Sequence, residues 1–183
     1  MYTRLFFLLL LFPITTALHS QSKNLSTTSG TISFRSEASL ELIKATSNEL
    51  LGKIDEAKRT FAFRVLLRSF EGFNSGLQQI HFNENYLETD LFPEASFSGK
   101  IIEPVDFNKN GKSIIRAKGI LKIHGVEQER IIKCELAIQE NRVHIESDFT
   151  VQLSDHNIRI PRVVHEKIAT EIKVNVKADL SRR

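Results

Sequence analysis

The chain has 183 residues, 41% of them hydrophobic and 26% charged, enough for one domain with a real core and too few for two. Its net charge of +3 is not gathered into any Lys/Arg-rich stretch, which argues against nucleic-acid binding. A single cysteine, Cys134, rules out an intramolecular disulfide, so stability has to come from the core.

Met1–Ser20 reads as a secretory signal peptide: one charge at Arg4, an unbroken apolar run over Leu5–Phe12, then small or polar Thr15, Thr16, Ala17 and Ser20. The run is shorter than the roughly 20 apolar residues that a membrane span needs. The expected organisation is a cleaved signal over 1–20, a flexible Ser/Thr/Asn-rich N-terminus over 21–30 and one folded domain over 31–183. The mature chain, starting near Gln21, is expected in the periplasm or secreted, with no transmembrane span left after cleavage.

Thr31–Phe34 and Leu40–Ala45 read as short strands, and Glu49–Lys58 is ambiguous between a helix and a bent strand. Alternation becomes plain from Thr60, with Phe61, Phe63, Val65 and Leu67 on one face. Asn74–Asn85 is the helix candidate, with Asn74 as its N-cap. Pro93 ends the polar stretch before it, and Ala95, Phe97, Gly99 and Ile101 then alternate with polar residues.

Asn108-Lys109-Asn110-Gly111 marks a hairpin between a strand over Ala95–Pro104 and one of about Lys112–His124. The latter places Ile115, Ala117, Gly119, Leu121 and Ile123 on one face. After a turn at Gly125-Val126-Glu127 come Ile132, Cys134, Leu136 and Ile138. Glu140-Asn141 turns the chain into Val143, Ile145, Ser147, Phe149, Val151 and Leu153. Ile172, Val174, Val176, Ala178 and Leu180 form the last alternating set. Strands with one apolar and one wet face, joined by short turns, predict an antiparallel sheet. So large a sheet must fold over or close, and closure removes its edges. The expectation is an all-β antiparallel barrel of about eight strands with one short helix capping an end.

Three segments carry a family resemblance. His81–Ile101 joins an aromatic-containing stretch through Phe92-Pro93 to a Phe-containing strand. Ala117-Lys118-Gly119-Ile120-Leu121-Lys122-Ile123-His124-Gly125-Val126 is similar to Gly-x-Leu-Thr-x-His-Gly-Val, with Lys122 in place of Thr. Leu153-Ser154-Asp155-His156-Asn157-Ile158-Arg159-Ile160-Pro161 matches a late strand-and-turn, with Asn157 where Gly is common. Together they resemble the YceI-like lipid/polyisoprenoid-binding family over Thr31–Leu180. The resemblance implies an exported, lipocalin-like barrel holding an isoprenoid or similar long apolar ligand, with an isoprenoid quinone among the candidates. The lining expected for that ligand is Phe61, Phe63, Val65, Phe97, Ile115, Ala117, Leu121, Leu136, Phe149, Val151, Val174 and Val176. A filled barrel acting as a structural or protein-interaction module of the cell envelope is the alternative, and a homodimer stays open.

Catalysis and metal binding find little support. There is no Gly-x-Ser-x-Gly elbow and no Gly-rich phosphate loop, so the protein is expected not to be an enzyme and to carry no cofactor beyond bound lipid. His144, Glu146 and Asp148 share one strand face, but it is the polar face and reads as solvated surface. Asp148 with Asp155, or Glu84 with Glu88, read as solvated carboxylates. His81 and His124 are candidates for polar contacts at a barrel mouth. His156 and His165 read as loop residues, and Cys134 as a small buried hydrophobe.

Overall fold

The computed structural model describes residues 24–140 and 142–182. The expected signal peptide at Met1–Ser20 lies outside the described residues. Eight strands follow one another around a closed barrel: β1 (Asn24–Glu37), β2 (Leu42–Asp55), β3 (Thr60–Leu66), β4 (Glu94–Ile101), β5 (Gly111–Ile123), β6 (Val126–Gln139), β7 (Arg142–Gln152) and β8 (Glu171–Arg182). Each is antiparallel to the next, and β8 pairs back with β1. Alternation dictates this outcome. Along β5, Ile115, Ala117, Gly119 and Leu121 are buried while Ile114, Arg116, Lys118 and Ile120 are exposed, and only closure shelters such a face on every strand.

The N-terminal third departs from expectation. The stretch expected to be flexible is a strand from Asn24, because Leu25 is wholly buried at one end of the barrel and Thr27 is buried beside it. Thr31–Phe34 lies within one 14-residue strand, the strand expected at Leu40–Ala45 starts only at Leu42 as the beginning of another, and the ambiguous Glu49–Lys58 is mostly the end of β2. A register shift in β1 near Gly30 breaks the alternation there, which hides a long strand from pattern reading.

At one end, here called the floor, the barrel is packed solid. Leu25, Ile54, Leu136, Val143 and Leu180 are nearly or fully buried in one cluster. The β4–β5 connection is not the tight hairpin expected at Asn108–Gly111. It runs through residues 102–110 because Phe107 turns inward and plugs the floor. Arg182 locks the plug, with Nε 2.8 Å from Glu56 Oε1 and Nη2 donating to the Phe107 carbonyl at 2.8 Å.

The longer connections gather at the other end, the mouth. Between β3 and β4 the chain forms a 3₁₀ turn, helix α1 (Gly76–His81) and a π-helical turn over Phe82–Tyr86. The N-cap is Ser75, whose hydroxyl accepts from the Gln78 N–H, and not Asn74. Asn74 instead donates to the Leu42 carbonyl at 2.8 Å, tying the cap to β2. Leu77 and Ile80 are exposed, and the wider π turn supplies the packing side chains, Phe82 and Tyr86.

Candidate functional site

A cavity of about 550 Å³ runs from the mouth into the barrel and stops above the floor. Eleven of the twelve expected lining residues border it: Phe61, Phe63, Val65, Phe97, Ile115, Ala117, Leu121, Phe149, Val151, Val174 and Val176. The twelfth, Leu136, does not. Its strand runs on past the cavity, so the same inward face that lines the lumen higher up is spent on floor packing at Leu136, only 1% exposed. Phe61 and Phe97, with ring centroids 4.9 Å apart, lie where cavity gives way to packing.

Sequence reasoning missed the upper wall. Phe34 stacks on Phe82 at 5.4 Å between centroids, and Phe70 and Phe73 complete an aromatic box over the lumen. Phe34 had a signal, its two-residue spacing from Ile32 in β1. Phe70 and Phe73 had none, because they sit in an irregular connection, and Phe82, within the helix candidate Asn74–Asn85, is turned inward by the π-helical turn that the sequence did not reveal. Val164 and Ile168, from the 3₁₀ turn Arg162–Val164 and the residues after it, also reach the cavity.

Polar groups are few inside. The Ser147 hydroxyl donates to the Lys133 carbonyl at 2.7 Å, so it needs no ligand to be satisfied. Cys134 faces the lumen, and burial pushes its thiol above the ordinary value, which keeps it protonated and unreactive. Tyr86 is likewise raised by burial. The exposed residues His81 and Lys167, with half-buried Glu41 and Gln78, mark where the cavity meets solvent, between the β1–β2 turn, α1 and residues 164–168.

The second motif of the sequence reading has a structural reason. His124-Gly125 is a two-residue turn closing Ile123 onto Val126, with φ of +51° and +73°, both in the left-handed region that such hairpins need. A Cβ on Gly125 would lie 2.5 Å from the Phe92 ring, so only glycine fits. His124 Nδ1 is 3.1 Å from the His156 carbonyl, its Nε2 is 2.7 Å from Glu88, and Phe92 meets its ring edge-on at 4.7 Å. His124 therefore holds the rim together from behind and does not line the lumen. His156 lies in the β7–β8 connection, as expected, but not at its surface. It is fully buried, with Nδ1 3.3 Å from the Val126 carbonyl and Nε2 unpartnered, and burial lowers its pKa. Asn157 follows at φ +58°, in the left-handed region that Asn tolerates.

β6 and β7 pair only over Glu135–Gln139 and Arg142–Glu146, and diverge toward the mouth. Arg130 bridges the gap by donating to the Thr150 carbonyl at 2.8 Å, and Gln128 donates to the Asp155 carbonyl at 2.7 Å. The remaining candidates are on the outside. His144 pairs with Asp179 at 2.9 Å, Glu146 with Lys177 at 2.7 Å, and Asp148 accepts from Asn175. Among the described residues no group of three or more His, Cys, Asp or Glu is placed to hold a metal, and no helix is long and apolar enough to cross a membrane.

Residues 15–180 match the model of the YceI-like domain. A search of curated proteins finds no match. Among solved structures, a polyisoprenoid-binding domain from Saccharophagus degradans implicated in plant cell wall breakdown superimposes with a TM-score of 0.73 at 15% identity, covering 88% of this chain and 99% of that one. BcnA of Burkholderia cenocepacia gives 0.68 at 14% identity, covering 83% and 96%. A YceI protein of Campylobacter jejuni gives 0.55 at 11% identity, covering 99% of each. At these identities the likeness is one of fold.

Proposed function

The chain belongs to the YceI-like domain family, and from that premise we propose that it is an exported binding protein that holds one long apolar chain, an isoprenoid or an isoprenoid quinone, in its lumen without chemical change. The observation that carries this reading is the shape of the core. A filled barrel would be packed at both ends, whereas this one is solid at the floor and leaves about 550 Å³ under the aromatic box, within the usual range for small-molecule sites.

Binding would come from apolar burial, worth about 0.8 kcal/mol per CH₂ before the cost of ordering the chain. The lining has aromatic and aliphatic walls, its Ser147 hydroxyl is already bonded to the Lys133 carbonyl and its thiol is held protonated, so it favours hydrocarbon over a polar group deep inside. A polar head is left at the mouth, near Gln78, His81 and Lys167. The N-terminal sequence, with its apolar run over Leu5–Phe12, supports export.

Native mass spectrometry of the mature protein, purified from the compartment to which its own signal directs it, tests the reading. The expected result is an added mass that extracts into organic solvent as a prenyl lipid. A bare mass, unchanged after incubation with prenyl alcohols and quinones, would overturn it.

A further inference from the structure

Two exposed apolar tips stand beside the mouth. Leu40 caps the β1–β2 turn at 66% exposure, and Val163 sits in the 3₁₀ turn Arg162–Val164 at 89%. The two loops are stitched together, since Leu40 N–H and the Ser39 hydroxyl both donate to the Glu166 carbonyl, at 2.9 and 3.2 Å, and Ala169 N–H donates to the Ser36 hydroxyl at 2.8 Å. Together they form one lip. The same loop that carries Val163 sends Val164 and Ile168 into the cavity. Apolar surface is thus continuous from the outermost tip to the lumen.

Charge is arranged around this lip to match. Arg159, Arg162 and Lys167 flank Val163, and none forms an ion pair among the described residues. The carboxylates of that loop are Asp155 and Glu166, the latter 3.9 Å from His165, and Glu41 follows Leu40 in the other loop. Helix α1 lies against the same lip, since Gln78 donates to Glu41, the residue after Leu40, and Asn74 donates to the Leu42 carbonyl at 2.8 Å. Exposed apolar tips, with the unpaired cations Arg159, Arg162 and Lys167 around Val163, suit the headgroup layer of an anionic bilayer.

We propose that the Leu40–Val163 lip docks on anionic lipid bilayers, bringing the mouth against the acyl layer so that an apolar chain passes into the lumen without crossing water. This rests on the lumen reading above. Burying each tip gives roughly a tenfold or greater gain in partitioning. Each cation near the surface adds about fivefold, and added salt reduces that gain.

Flotation of the mature protein with phosphatidylglycerol-containing vesicles tests it, with pure phosphatidylcholine vesicles beside them. The expected result is binding to the former, weakened by salt and at least tenfold weaker to the latter. The double variant L40D/V163D should lose binding by at least tenfold, R162E/K167E should lose most of the preference for phosphatidylglycerol, and I114D, on the outer wall of β5, should change neither. Equal flotation of the tip variant, equal binding to both vesicles, or a dimer that the tip variant disperses would each overturn the proposal. Loading with a prenyl alcohol from detergent micelles separates the two readings. Micelle loading that persists without vesicle binding sinks the docking alone, whereas no loading of any form sinks the lumen reading itself.

Discussion

The floor and the mouth of the barrel are made from the same eight strands with the same inward alternation, yet they bury it differently. At the floor, short turns and one inward Phe107 let Leu25, Ile54, Leu136, Val143 and Leu180 meet across the axis, and Arg182 clamps the plug to Glu56. At the mouth, the inserted segment between β3 and β4 and the one between β7 and β8 hold Phe34, Phe70, Phe73 and Phe82 away from the axis, as a roof over empty space. Strand alternation says only which side of the wall a residue is on. Whether the inner side meets another wall or a void is decided by what closes each end.

The contrast can be broken most directly by cavity-creating substitutions. Leu136→Ala should cost about 3 kcal/mol in urea unfolding, because it opens a void in packed floor. Val174→Ala, higher on the lumen wall, should cost less than about 1 kcal/mol, since its side chain already borders space. Equal costs would mean that the lumen is not a separate environment. Arg182→Met should follow at about 2 kcal/mol, because Glu56, whose side chain is only 7% exposed, loses its partner. Lys167→Met at the mouth should change stability by less than about 0.5 kcal/mol.

Filling the lumen sharpens the comparison from the other side. Val176→Phe should abolish co-purified prenyl lipid in native mass spectra while unfolding within about 1 kcal/mol of the parent, since the added ring enters space that is already there. Lipid retained at parent levels would place binding elsewhere. The smallest expected effect is one of pH. Burial holds His156 below its ordinary value of 6.5, so the folded chain takes up fewer protons than the unfolded one. Its contribution is fully present above pH 6.5 and is lost as pH falls from there toward the lower folded value. Melting temperature should drop between pH 7.5 and 5.5, and His156→Gln should flatten that drop. The depressed carboxylates Glu37, Glu103 and Glu146 act only below about pH 4.5, outside this window.

Much of this was legible in the sequence, for a physical reason. From Thr60 onward the period-two pattern is dictated by a wall with one dry side, and it placed Phe61, Phe97, Ile115, Phe149 and Val174 on that side without any knowledge of their neighbours. Closure followed from the need to cover so much apolar face. A turn was readable at Gly125, though it was expected over Gly125–Glu127 and is formed one residue earlier, by His124 and Gly125, with Val126 already in β6. The tertiary structure alone decided what lies across the axis. It made Asn24–Gly30 a strand through the burial of Leu25, turned Phe107 into a plug and Leu136 into floor packing, buried His156, and assembled a roof from Phe34, Phe70, Phe73 and Phe82. Those contacts join residues far apart in sequence through irregular connections, where no repeating spacing records which side chain will meet which.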